Sequence, residues 1–304
     1  FTVDGRAQAL DGQGYFRVRL PVRPEATVRF VALDRAARRA EAELRFVAQG
    51  APAPALPVER AAVRPAGGRP GRSHALVIAN GAYRSLPALK TAHADGAELA
   101  RVLGEEFGFQ VRLLEDAGFL DTMVALDEVS RALGPGDDLL VYFAGHGRID
   151  EGSGRGYWLP ADADPEDRTT WLPNEVLAKR LGTVAAGHVL VVSDSCYAGT
   201  LAASGLEAVT ASPGAGRSRT VLAAGGLQPV LDEGGGDGHS IFARALLSVL
   251  KLAREATPAS AIASSVAARV GWKSAQLGVP QTPLYAPIRH AGHESGDFVF
   301  VPRG

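Results

Sequence analysis

The order of apolar and polar residues changes near residue 73 and divides the chain into two parts. Before this point apolar and polar residues alternate in three stretches, at residues 14–20, 27–33 and 40–47, and turn residues such as Asp11 and Gly12 border them. Alternation with a period of two predicts strands with one buried face. Residues 1–50 are therefore predicted to form an all-β module. Residues 51–73 are rich in proline and glycine and lack periodicity, which predicts a linker.

After residue 73, continuous apolar runs alternate with amphipathic stretches. The apolar runs lie at residues 74–79, 109–114, 138–143, 188–192 and 220–224, and helical periodicity at 89–104, 121–133, 174–181, 240–254 and 259–276. Strands that are apolar on both faces are typical of a parallel sheet covered by helices. Residues 74–304 are therefore predicted to form a three-layer α/β/α sandwich with a mostly parallel central sheet, and residues 297–301 a final strand. The active site of such a sheet lies at the carboxyl ends of its strands.

Composition excludes several classes of protein. The chain has 304 residues, a net charge of −1 and one cysteine. A near-neutral charge does not favour binding to nucleic acid or to a membrane surface, and no apolar stretch approaches the roughly 20 residues that span a bilayer. One cysteine excludes an internal disulfide and a cysteine-rich metal site. Because the chain begins with Phe1 instead of methionine, we expect that an upstream segment has been removed. Localisation and oligomeric state stay open.

Two of the predicted strands end in unusual sequences. One runs into Gly145-His146-Gly147, and another is followed by Cys196, the only thiol of the chain. A histidine between two glycines is poorly placed for packing but open to a ligand. A lone cysteine is more often a small buried apolar residue than a nucleophile, and a lone histidine often has no special role. Their joint position at the catalytic edge favours a Cys196/His146 pair for nucleophilic acyl transfer.

These segments resemble the caspase-like cysteine peptidases, in particular the prokaryotic metacaspase relatives often called orthocaspases. The resemblance rests on YFAGHG at residues 142–147, DSCYAG at 194–199, ALVIANGAY at 75–83 and an Ala-Asp pair at 94–95, and it covers about residues 74–302. Caspases also have about 50 residues between the histidine and the cysteine. The resemblance implies a caspase-hemoglobinase fold and a cysteine endopeptidase acting on peptides or proteins. Residues 1–50 lie outside it and resemble the end of an immunoglobulin-like sandwich whose first strands lie upstream.

The resemblance assigns a reaction to the pair. Cys196 is expected to attack the scissile carbonyl and His146 to carry the proton, while the backbone N–H groups of Gly147 and Cys196 form the oxyanion hole. No third carboxylate is apparent, so a dyad is expected, and no cofactor is required. The acidic residues at 162–167 are compared with the calcium sites of some metacaspases. They lack the regular spacing of a calcium loop, so a solvated loop is expected and no metal ligand is assigned.

Two acids are candidates for the substrate pocket. Asp95 falls on the apolar stripe of its helix, where a buried carboxylate needs a partner, and in an extended turn Asp194 points the same way as Cys196. Matching acids in metacaspases and paracaspases hold arginine or lysine before the cut, so the resemblance implies this role for Asp95 and Asp194, with Asp232 as a further acid. The alternative is that Asp95 caps its helix and Asp194 orients the turn. Ala144 stands where metacaspases often have serine, which leaves the fine specificity open.

Two further expectations concern the rest of the domain. Residues 200–220 are predicted to be a flexible loop that carries Arg217 and Arg219 close to the cleft, so self-cleavage after these residues is expected, with a tolerated surface loop as the alternative. His239 follows a glycine-rich loop and is expected to cap a helix or lie at the surface.

Two alternatives to a peptidase that cleaves after basic residues remain. They are a caspase-fold peptidase with another preference and a non-catalytic caspase-like interaction module.

Overall fold

A computed structural model describes residues 2–3, 6–7, 27–33, 39–45, 71–202, 216–226, 234–279 and 281–303. The chain divides into two compact units, Phe1–Arg60 and Ala61–Gly304. The described strands of the first unit are β1 Thr2–Val3, β2 Arg6–Ala7, β3 Thr27–Leu33 and β4 Arg39–Arg45. They form an antiparallel sheet in the order β2-β1-β3-β4. The predicted strand at residues 14–20 lies outside the described residues.

The second unit alternates strands and helices. Its elements in chain order are β5 Ser73–Ala79, α1 Ala92–Phe107, β6 Gln110–Glu115, α2 Phe119–Arg131, β7 Asp138–Ala144, β8 Gly147–Asp150, β9 Arg155–Trp158, β10 Leu172–Pro173, α3 Asn174–Thr183, β11 His188–Asp194, β12 Ser218–Ala223, β13 Gly234–Gly236, β14 His239–Ser240, α4 Ile241–Leu252, β15 Thr257–Pro258, α5 Ala259–Gln276, β16 Leu284–Pro287 and β17 Val299–Phe300. Short 3-10 helices lie at Arg168–Thr170 and Ala198–Leu201.

Six strands form the central sheet, in the order β16-β12-β11-β7-β5-β6. All pairings among β12, β11, β7, β5 and β6 are parallel, and only β16 is antiparallel to its neighbour. Strands β5, β7, β11 and β12 are almost entirely buried, which explains why their sequences are continuous apolar runs. The predicted mostly parallel sheet is confirmed.

Helices cover both faces of the sheet. In β5, Ala75 and Val77 pack with residues of α1, α4 and α5, whereas Leu76 and Ile78 pack with residues of α2 and α3. This alternation follows from the strand geometry, in which successive side chains point to opposite faces. The two apolar clusters make the three layers of an α/β/α sandwich, as predicted.

The central sheet differs from the prediction at its last strand. The strand predicted at residues 297–301 is present in part as β17, but it pairs with β15 in a separate two-stranded ribbon and does not extend the central sheet. The sixth strand is β16, a short edge strand of partly buried residues that lacks a continuous apolar run. The segment after β7, which has no clear periodicity, also contains the small antiparallel sheet β10-β9-β8. This small sheet lies directly after the strand end that carries the histidine.

Candidate active site

The carboxyl ends of β7 and β11 bring His146 and Cys196 to one edge of the sheet. Ala144 is the parallel partner of Asp194, and the N–H of Gly145 donates to the Asp194 carbonyl at 3.4 Å. His146 and Cys196 each lie two residues beyond this paired position. Both line one narrow pocket of about 40 Å³. The two residues are thus neighbours at the predicted edge of the sheet.

His146 is held from two sides. Its backbone N–H donates to the Tyr83 hydroxyl at 2.8 Å, and the two rings lie 4.7 Å apart between centroids. Its Nε2 lies 2.8 Å from the Pro87 carbonyl oxygen. Because a carbonyl oxygen only accepts, Nε2 carries the hydrogen in this arrangement. Nδ1 is then the ring nitrogen whose lone pair is available when the imidazole is neutral.

The backbone of Gly147 lies against the loop that carries Cys196. A Cβ atom at Gly147 would lie 2.1 Å from the Cys196 carbonyl oxygen, a distance that no side chain tolerates. Glycine is therefore required for this close approach. Cys196 is half-buried and is followed by Tyr197, whose φ of 58° lies in the left-handed region and turns the chain sharply. The turn keeps the thiol at the sheet edge.

A series of buried hydrogen bonds supports the loop that carries Cys196. It lies on the face of the sheet that packs against α2 and α3. The indole N–H of Trp158 donates to Ser193 Oγ at 3.1 Å, and Ser193 Oγ lies 3.0 Å from Ser195 Oγ. The Trp158 ring stacks on Phe143 with centroids 4.3 Å apart. Since all of these side chains are buried, they fix the residue directly before Cys196.

Two buried carboxylates lie in the same pocket as the histidine and the cysteine. Asp95 on α1 is 1% exposed and Asp194 at the end of β11 is 8% exposed, and both line the pocket. Asp95 Oδ1 lies 2.6 Å from His239 Nδ1, and Asp95 Oδ2 accepts the Ser240 N–H at 3.2 Å. Asp194 Oδ2 accepts the Ser240 hydroxyl at 2.6 Å. The two acids are therefore brought together and each has a polar partner.

Burial changes the pKa values of Asp95 and of the neighbouring Tyr142. Burial raises the pKa of Asp95, while hydrogen bonds from His239, Thr91 and the Ser240 backbone oppose the rise. Burial, together with the nearby charges of Asp194 and Asp95, raises the pKa of Tyr142 well above its usual range. Tyr142 therefore stays neutral beside the two acids.

Carboxylates of the acidic loop at residues 162–167 accept hydrogen bonds from backbone N–H groups. Asp162 Oδ1 accepts the Phe119 N–H at 2.8 Å, and Asp167 Oδ1 accepts the Thr169 N–H at 2.9 Å. Across the described residues, no three or more His, Cys, Asp or Glu side chains are arranged to hold a metal ion.

The structure corrects the expected position of the two arginines. Arg219 lies within β12 and is fully buried, with its guanidinium bound to backbone carbonyls. Arg217 is exposed but directly precedes β12, whose first residue, Ser218, pairs with His188 at the start of β11. The seven-residue strand β11 spans about 20 Å. Arg217 therefore lies at the amino-terminal ends of the strands, whereas Cys196 lies at their carboxyl ends. The expectation that these arginines lie on a loop close to the cleft is wrong.

Several residues of the site were not found from sequence. His239 is not a cap or a surface residue, since Ser240 caps α4 and the His239 side chain is 12% exposed and bound to Asp95. Pro87, Tyr83 and Trp158 reach the site from segments with no periodic pattern. The one signal for His239 is that a histidine directly precedes a serine N-cap. Asp232, the third predicted acid, lies outside the described residues.

Comparison with known proteins identifies the family. The model of the peptidase C14 caspase domain matches residues 72–287. The chain therefore belongs to the caspase-domain family, and this membership supports a cysteine-type peptidase in general. No curated protein matches the chain significantly.

A solved structure has the same fold. The crystal structure of protein GSU0716 from Geobacter sulfurreducens is similar to this chain with a TM-score of 0.52 and 19% identity, and the match covers 74% of this chain and 97% of that one. At this identity the likeness concerns the fold alone. Over the described residues, no helix has the length and the apolar composition needed to cross a membrane.

Proposed function

We propose that the chain is a cysteine endopeptidase of the metacaspase or orthocaspase type that cleaves after arginine and, less efficiently, after lysine. The observation that carries the proposal is the single pocket shared by His146, Cys196, Asp95 and Asp194. A thiol and an imidazole provide the nucleophile and the proton carrier of acyl transfer. Two carboxylates beside them provide a binding site for a cation.

In the proposed reaction Cys196 Sγ attacks the scissile carbonyl carbon, and the thiol proton passes to Nδ1 of His146. The imidazolium gives this proton to the leaving amine as the C–N bond breaks, which leaves a thioester on Cys196. His146 then deprotonates a water molecule that hydrolyses the thioester and restores the thiol. The Pro87 carbonyl accepts from Nε2 in both protonation states and keeps the ring in one orientation.

The backbone N–H groups of Gly147 and Cys196 are proposed to hold the oxyanion that forms during attack. The close approach of Gly147 to the Cys196 carbonyl supports this proposal, because it brings the two backbone segments into contact. The reaction needs a thiol, an imidazole and backbone donors, and the chain supplies all of them. We therefore propose that turnover requires no cofactor, with calcium activation tested by adding calcium or a chelator.

Arginine is the proposed preference because its planar guanidinium offers several N–H donors in fixed directions. Asp95 and Asp194 present carboxylates from two different elements, α1 and β11, and a guanidinium can contact both. Lysine has one compact charge and is expected to bind less well. Asp232 is proposed as a further acid of the same pocket.

Cleavage profiling with a peptide library tests the proposed function. Arginine before the cut is the expected dominant residue. A profile dominated by aspartate would overturn the pocket assignment and favour the caspase-type preference. No cleavage, together with no labelling of Cys196 by a peptide chloromethylketone, would favour the non-catalytic interaction module.

A further inference from the structure

One short segment binds both acids of the pocket. His239 Nδ1 lies 2.6 Å from Asp95 Oδ1, and the next residue, Ser240, donates its N–H to Asp95 and its hydroxyl to Asp194. The Ser240 hydroxyl also accepts the Ala243 N–H at 2.9 Å and so caps α4. The start of α4 thus fixes the direction of both carboxylates.

The hairpin before α4 holds this segment in place. β13 pairs with β14, and a Cβ atom at Gly235 would lie 2.1 Å from the Ser240 carbonyl oxygen. This close packing leaves His239 and Ser240 little freedom to move away from the acids. The position of the imidazole is therefore set by the fold and not by a flexible loop.

We propose that His239 is a positioning residue that determines specificity: its Nδ1–H holds the Asp95 carboxylate in the orientation that accepts a basic side chain. His239 does not itself line the pocket, whereas Asp95 does. His146 occupies the place of the proton carrier, so His239 acts on substrate only through Asp95. This inference rests on the proposed cleavage after arginine.

The charge of Asp95 depends on this contact. Burial raises the pKa of Asp95, and the hydrogen bond from His239 is the largest of the effects that oppose the rise. Without that bond, Asp95 becomes protonated at higher pH and the pocket loses one negative charge. Among the residues that the structure describes, the other titratable groups around Asp95 are Asp194 and Tyr142 from the sheet and His146 and Cys196 across the pocket.

The test compares two peptide substrates that differ only in arginine or citrulline before the cut, since citrulline has the shape of arginine without its charge. The ratio of their kcat/KM values is measured for wild type, His239→Ala, His239→Asn and the exposed-histidine control His290→Asn. We expect His239→Ala to lower the ratio about tenfold at neutral pH, mainly through the KM of the arginine peptide. The ratio should recover as the pH rises and Asp95 ionises.

Rescue separates positioning from a general structural role. The side-chain N–H of asparagine can replace the Nδ1–H of histidine, so His239→Asn is expected to restore most of the ratio, and His290→Asn to leave it unchanged. The rate of Cys196 alkylation by iodoacetamide reports whether each variant is folded around the thiol. If His239→Ala does not fold, His239→Leu fills more of the space and takes its place in the same comparison.

The results of this comparison separate a failure of the proposed role of His239 from a failure of the proposed function. An unchanged ratio in folded His239→Ala, with a lowered ratio in Asp194→Asn, overturns the role of His239 and leaves the proposed function standing. An equal loss in His239→Asn and His239→Ala, with no recovery at high pH, also overturns it. A wild-type ratio near one overturns the proposed function and this inference with it.

Discussion

Removing the negative charge of Asp194 tests the proposed preference for arginine directly. Asp194 is 8% exposed, lines the pocket together with Cys196 and accepts the Ser240 hydroxyl. Asp194→Asn removes the negative charge, keeps the size of the side chain and leaves an oxygen that can still accept from Ser240. The variant is therefore expected to keep the pocket's shape and to lose its attraction for a cation.

The expected loss of kcat/KM follows from the burial of Asp194. Two unit charges 4 Å apart at an effective dielectric constant of 20 attract each other by about 4 kcal/mol, and removing one partner of a buried charge pair costs about 2–5 kcal/mol. Even the lower value is about 30-fold in kcat/KM. The arginine peptide should therefore lose about 30-fold or more, whereas the citrulline peptide should change by only a few-fold.

The assay measures kcat/KM for both peptides with wild type, Asp194→Asn and Asp127→Asn. Asp127 serves as the control because it is a carboxylate on α2 that pairs with Arg180 and does not line the pocket. Alkylation of Cys196 by neutral iodoacetamide should proceed at similar rates in all three proteins. An arginine-to-citrulline ratio that is the same in Asp194→Asn and wild type would refute the assignment of Asp194 to the substrate pocket.

Two further predictions concern the arginines near β12. Arg219→Met should lower the free energy of unfolding by more than about 3 kcal/mol, because it leaves several buried carbonyls unpaired, and Arg217→Met should change it by less than about 0.5 kcal/mol. Denaturant unfolding measures both, and equal effects would contradict the burial argument. Purified protein incubated under turnover conditions should show no new amino terminus at Ser218 or Thr220 by mass spectrometry. Such a terminus in the active protein, absent from Cys196→Ala, would show that the cut occurs despite the geometry.

Sequence patterns predicted those parts of the fold in which burial and periodicity coincide. The strands β5, β7, β11 and β12 are buried on both faces, so their apolar runs are unambiguous. The same logic predicted the position of Asp95, since it lies on the apolar stripe of α1 and is buried in the structure. In contrast, β16 is a short, half-buried edge strand, and its sequence has no pattern that distinguishes it from a loop.

The candidate site was predicted at the strand ends but not in its supporting contacts. His146 and Cys196 follow apolar strands directly, so topology alone brings them together. Pro87 and His239 contact the site across 59 and 144 residues of sequence, through loops and a hairpin that have no periodic signal. Arg219 was misplaced because an arginine indicates a solvated position unless its long side chain finds buried carbonyls, which no local pattern reveals.

Peptide hydrolysis by wild type, Cys196→Ala and His146→Ala is the most direct measurement of the proposed chemistry. The three proteins are compared on the best peptide from the library profile, with circular dichroism and thermal unfolding to establish that each is folded. Both residues lie in strand-end turns at a pocket, so their removal should leave the fold nearly unchanged. The account predicts turnover by wild type and none above background by either variant. Near-wild-type turnover by folded Cys196→Ala or His146→Ala would contradict it.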